Sequence, residues 1–123
     1  MVDTDAAGVM FFANHLKLVH NTYEAFMTSI GFGLNRILRD TPFLLPVVHV
    51  EADYKAPLRL GDRFRISLTS TVKDRSFLIT ALFRGPSGEI AAEVTTVHLP
   101  IHKKTGKRLP LPDELKQGLR SIS

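Results

Sequence analysis

The chain has 123 residues, 44% hydrophobic and 23% charged, with a net charge of +4 and no cysteine. That length holds one hydrophobic core, so a single domain over residues 1–123 is expected. A disulfide framework, a thiolate nucleophile and a cysteine–zinc site are all excluded. No apolar run approaches the ~20 residues that cross a bilayer, and no signal-peptide pattern opens the chain. The expectation is a cytoplasmic protein with no membrane attachment.

From Phe12 to Ile30 the apolar positions Phe12, Leu16, Val19, Tyr23, Phe26 and Ile30 recur at spacings of three and four. This spacing predicts one long amphipathic helix, stopped by Gly31 and Gly33. After Pro46 the period becomes two. Val48, Val50, Ala52 and Tyr54 alternate with His49, Glu51 and Asp53, until Pro57 and Gly61-Asp62 interrupt. Phe64, Ile66, Leu68, Ser70 and Val72 mark the inner face of a second strand, and Lys73-Asp74-Arg75 its hairpin tip. Phe77, Ile79, Ala81 and Phe83 mark a third strand, closed by the turn Gly85-Pro86-Ser87-Gly88. A long last strand is predicted from Glu89 to His102, and Pro110-Leu111-Pro112 opens a short tail helix.

One long helix followed by antiparallel strands is an α+β domain, and the economical arrangement curls the sheet around the helix. A sheet built this way leaves long edges that need a partner, so a homodimer is expected. Sixteen Lys and Arg are scattered apart from the run at Lys103-Lys104-Thr105-Gly106-Lys107-Arg108. No aromatic residues interleave with that run, so it does not read as a nucleic-acid surface.

The chemistry is concentrated at Asp3-Thr4-Asp5-Ala6-Ala7-Gly8-Val9-Met10-Phe11-Phe12-Ala13-Asn14-His15. Two carboxylates precede a small-residue turn that runs into the helix. A helix start presents unpaired amides and a positive dipole end, which suit a developing oxyanion, and Gly8 permits close approach of a ligand. A nearby carboxylate could attack a carbonyl held there or activate water against it. Asp3 or Asp5 could equally serve as a cap. His15 and His20 point to different faces of the helix, and His98 and His102 lie about 13 Å apart on an extended strand, so neither pair forms a metal site. No metal or other cofactor is expected. His49 reads as a hydrogen-bonded core or interface histidine, or as a substrate contact.

This segment resembles the signature of the 4-hydroxybenzoyl-coenzyme A thioesterase family, which has the hotdog fold of a long central helix wrapped by a curved antiparallel sheet. Tyr54-Lys55-Ala56-Pro57 and Gly61-Asp62 fit the same pattern. Leu45-Pro46-Val47-Val48-His49 with Ala52-Asp53-Tyr54 is similar, more particularly, to the 1,4-dihydroxy-2-naphthoyl-coenzyme A thioesterases of quinone biosynthesis. The resemblance implies hydrolysis of an acyl-coenzyme A thioester with Asp5 as nucleophile or general base. It implies an oxyanion donor in the backbone amide at or near Phe12, and substrate contacts at Gly8, Phe11 and His49. Lys73 and Arg75 match a hairpin that in relatives lies near the nucleotide phosphates. A homodimer or homotetramer is implied, with the acyl pocket at the subunit boundary. Hydroxybenzoyl or short acyl groups are alternative substrates, and a non-catalytic acyl-thioester binding module is an alternative function. Members usually carry a full strand before the signature, whereas here only Met1 and Val2 precede Asp3, so a shortened first strand is expected. The side chains at Phe12 and His20 differ from the His and Glu that some relatives use there.

Overall fold

The computed structural model describes residues 4–56 and 63–123, with side chains described from His15 onward. Helix α1 spans Thr4–Ser29 and α2 Leu34–Asp40. The strands are β1 (Phe43–Leu44), β2 (Val47–Tyr54), β3 (Arg65–Val72), β4 (Phe77–Arg84), β5 (Ile90–His98) and β6 (Ile101–His102). Helix α3, Asp113–Arg120, follows. Strands β2 to β5 form an antiparallel sheet in the order β2-β5-β4-β3, and β1 pairs with β6 apart from it.

Helix α1 packs on one face of this sheet through His15, Val19, Tyr23 and Met27, all buried and each four residues after the last. The expected stripe is therefore rotated. Phe26 and Ile30 are only partly buried, and Met27, outside the expected stripe, is 1% exposed. Four-residue steps keep side chains on one line of a helix only over a few turns, and this line is the one the sheet selects. Opposite it, alternation along β4 buries Phe77, Ile79, Ala81 and Phe83, as period-two patterning requires.

Three further departures have local causes. Helix α1 reaches back to Thr4, well before Phe12, through Ala6 and Ala7, residues of high helix propensity. The last long strand is broken, because Pro100 cannot donate to a ladder; β5 ends at His98 and β6 turns to pair with β1. Helix α2 was not expected. It is seven residues long, and the ammonium of Lys103 closes its C-terminus by donating to the carbonyls of Ile37 (2.6 Å), Leu38 (2.9 Å) and Thr41 (2.5 Å). A cation at that end meets the unpaired carbonyls and the negative end of the helix dipole.

The chain's tail seals the core. Leu111, Leu115 and Leu119 are at most 3% exposed and pack with Tyr23, Met27 and Phe77. Ser70 holds α3 in place: its hydroxyl donates to the carbonyl of Leu119, and its amide donates to the carbonyl of Ile122 at 3.1 Å. Among the described residues, no helix is long and apolar enough to cross a membrane.

Candidate active site

The first half of α1 carries the sequence signature. Asp5 falls within the described part of α1, and Phe12 falls eight residues after Thr4, inside the helix. The side chains of Asp5, Gly8, Phe11 and Phe12 lie outside the described ones, as do residues 57–62 with Pro57 and Gly61-Asp62.

His15 marks where α1 meets the sheet. Its ring is 5% exposed and stands edge-on to Phe83 at 4.7 Å and to Tyr54 at 5.3 Å. Tyr54 and Phe83 both align with Ala92 of β5, whose small side chain leaves the space the imidazole fills. Phe64 stacks on Phe83 at 5.9 Å, so aromatic rings run across this end of the sheet on the α1 side. Tyr54 and Phe64 remain 44% and 38% exposed. Partial burial raises the Tyr54 phenol above its ordinary pKa, which keeps it neutral. Sequence reasoning missed this row. Its signal was His15 at the head of the four-residue ladder and Tyr54 on the same strand face as Val50 and Ala52.

At the opposite end of the α1 face lies His98. It is 1% exposed and is sandwiched between Phe77 (4.8 Å, planes 4° apart) and Tyr23 (4.5 Å, 15° apart). Its Nε2 shares a 2.8 Å hydrogen bond with the Thr96 hydroxyl, and its Nδ1 has no well-formed partner among the described residues. Burial lowers its pKa to about 4; the nearby Leu45 backbone opposes this, and the charge of His20 adds to it. The same burial, with a smaller push from Glu24, raises the phenol of Tyr23. These are core groups. They have no opening to a substrate.

His49 is neither buried nor on the α1 face. It aligns with Val97, next to His98 but on the other side of the sheet, and its Nε2 lies 2.9 Å from the Glu51 carboxylate. The core reading of His49 is thereby corrected: it is on an edge strand whose residues are all exposed. Lys73 and Arg75 are exposed at the β3–β4 hairpin, as expected. The structure adds that Arg75 donates to the carbonyl of Arg108 at 3.2 Å. The hairpin tip and the basic loop 103–108 therefore form one cationic edge, a juxtaposition that residues 33 apart in sequence do not announce.

Residues 1–119 match the model of the thioesterase-like superfamily. The 1,4-dihydroxy-2-naphthoyl-CoA hydrolase of Rippkaea orientalis is 40% identical over 122 residues, covering 97% of this chain and 88% of that protein. The protein of the same name from Synechococcus elongatus is 36% identical, over 96% of this chain and 88% of its own. Among solved structures, the 1,4-dihydroxy-2-naphthoyl-CoA thioesterase of Synechocystis superposes with a TM-score of 0.82 at 31% identity, covering 97% of this chain and 88% of that one. A gentisyl-coenzyme A thioesterase superposes at 0.74 with 26% identity, over 95% and 91% of the two chains. In sequence and in fold, the chain belongs to the thioesterase-like, hotdog-fold superfamily.

Proposed function

We propose that this protein hydrolyses aromatic acyl-coenzyme A thioesters, with 1,4-dihydroxy-2-naphthoyl-coenzyme A as the leading substrate. The observation that carries this reading is 40% identity, over nearly the whole chain, to a hydrolase named for that thioester. Asp5 is the proposed catalytic carboxylate, either attacking the thioester carbonyl to give a mixed anhydride or deprotonating the attacking water. Coenzyme A leaves as the thiolate in both cases and takes up a proton from water, and on the anhydride path a water then hydrolyses the acyl–Asp5 bond to release the acid and regenerate Asp5. The Phe12 amide is the proposed oxyanion donor, with Gly8 and Phe11 beside the acyl group. For that amide to be free, Phe12 must lie in the first turn of the helix in the acting enzyme.

The nucleotide phosphates fit the cationic edge of Lys73, Arg75 and the 103–108 loop. We read the enzyme as a cytoplasmic homodimer, itself able to pair into a tetramer. Support comes from β2, an edge strand with all eight residues exposed, including Val47, Val48, Val50 and Tyr54 at 44–51%. His49 faces away from α1 of its own subunit, so a substrate contact is open to it only in a site shared between subunits.

Thiol release from a panel of acyl-coenzyme A substrates tests the reading. Wild type should turn over aromatic thioesters, and Asp5→Ala should lose at least ~100-fold in kcat with an unchanged melting temperature. Equal rates in the two proteins sink the Asp5 assignment. Binding of every thioester without thiol release would make the domain a binding module.

A further inference from the structure

We infer that His102 is a positioning residue for coenzyme A: its imidazole fixes the tip of the 103–108 loop, and with it the two lysines that this tip offers to phosphate. The inference rests on the reading of the cationic edge as the phosphate site and adds the residue that shapes it.

The loop's backbone can be followed amide by amide. Ile101 bridges to Arg108, and Phe43 of β1 aligns with His102, so the root is held from two sides. The amide of His102 donates to the carbonyl of Lys107 at 2.8 Å, and that of Gly106 to the carbonyl of His102 at 2.9 Å. The amide of Lys103 donates to the carbonyl of Pro42 at 2.9 Å, and that of Lys107 to the Thr105 hydroxyl at 3.3 Å. Gly106, with a φ of +70°, lets the chain turn back toward its root. The amides of Lys104 and Thr105 remain, and both go to Nδ1 of His102, at 3.1 and 3.3 Å. One ring nitrogen thus satisfies both apical amides, as the side-chain oxygen of asparagine or aspartate does in an Asx turn. A nitrogen that accepts carries no proton, so the ring's own proton sits on Nε2.

This arrangement divides the basic run. The Lys103 ammonium is committed to three carbonyls at the end of α2. Arg108 gives its carbonyl to Arg75, which joins the loop to the hairpin. Lys104 and Lys107 are exposed and make no ion pair among the described residues, so they are the cations left for an anion. The backbone that carries them is the part His102 holds. Gripping phosphate with long side chains costs more when the backbone beneath them must be ordered in the same step, and a tip already fixed removes that share. A carboxylate at position 102 would accept the same two amides but set a negative charge beside the phosphates. The imidazole supplies the acceptor without that charge.

Three variants separate these roles. His102→Leu removes the acceptor, His102→Asn keeps a neutral one at the same reach from the backbone, and His102→Asp keeps the acceptor and adds a charge. Each would be titrated with coenzyme A and with pantetheine, which lacks the nucleotide, and amide exchange would be followed by NMR at Lys104 and Thr105. His102→Leu should weaken coenzyme A binding about fivefold, leave pantetheine unaffected and lose protection at both amides. His102→Asn should restore affinity and protection together. His102→Asp should restore the protection and still bind coenzyme A weakly.

An unchanged coenzyme A affinity in His102→Leu overturns the inference. The reading of the edge survives that result if Lys73→Ala with Arg75→Ala weakens coenzyme A, and falls with it if that pair also has no effect. Equal losses for coenzyme A and pantetheine, a loss of affinity with both amides still protected, or no recovery in His102→Asn also overturn it, because the ring would then act otherwise than as an acceptor.

Discussion

His98 and Phe77 lie face to face, ring centroids 4.8 Å apart and planes 4° from parallel, and Tyr23 covers the other face of the imidazole. A cation in that sandwich would have to give up its water for two rings and one threonine hydroxyl. The site therefore holds the neutral ring, which is why the pKa falls to about 4 from 6.5.

Acid should consequently unfold the protein through this residue. Between those two values the unfolded chain binds a proton at His98 that the folded chain refuses, so stability rises with pH across that window. The contribution is complete above about pH 6.5 and is lost as pH falls through about 4. It amounts to roughly 3 kcal/mol. Urea unfolding from pH 7 to pH 4 should show this slope in wild type and a shallower one in His98→Asn.

Lys103→Met should loosen α2. The methionine keeps most of the stem but removes three donors from the carbonyls of Ile37, Leu38 and Thr41. A loss of about 1 kcal/mol is expected. Hydrogen exchange should localise it to residues 34–41, with little change in the main sheet.

Gly118→Ala tests packing against propensity. Alanine is favoured over glycine within a helix by about 1 kcal/mol. A Cβ at position 118, however, would stand 2.9 Å from Cβ and 3.0 Å from Cδ1 of Ile30. The contact should win, with a net destabilisation of 1–2 kcal/mol by thermal or urea unfolding. Pairing the change with Ile30→Ala should recover part of it.

Lys73→Ala with Arg75→Ala should raise KM for an acyl-coenzyme A about tenfold and leave kcat nearly unchanged. The effect should shrink as salt is added, and it should be small for an acyl-pantetheine that lacks the nucleotide. An unchanged KM for the coenzyme A thioester would remove these residues from the binding site.

Legibility followed the strength of local pattern. Where alternation was clean, as at Phe77, Ile79, Ala81 and Phe83, the strand, its inner face and the turn after it were readable before any coordinates. The rotation of α1 was not, because Phe26 and Met27 are equally apolar and only the sheet decides which is covered. Helix α2 escaped because seven residues carry too little periodicity, and a cation distant in sequence closes it. Lys103, which the sequence shows only as the first residue of a basic run, caps α2. Asp5 was singled out by the company it keeps in the signature, which composition and spacing alone left open between a cap and a catalyst. The core reading of His49 failed because apolar neighbours on a strand imply burial only when a second layer covers their face, and His49 lies on the face of β2 turned away from α1, exposed like the rest of the strand.

The two outer strands of the sheet have unequal fates. On β3, the Ser70 amide is already taken by Ile122, and the helix that brings it is anchored by leucines at most 3% exposed. Among the described residues, then, β2 is paired only with β5, while β3 also donates one amide to the chain's own tail. The chain's tail thus withdraws part of one outer strand from strand addition and leaves the other unpaired on its outer side among the described residues.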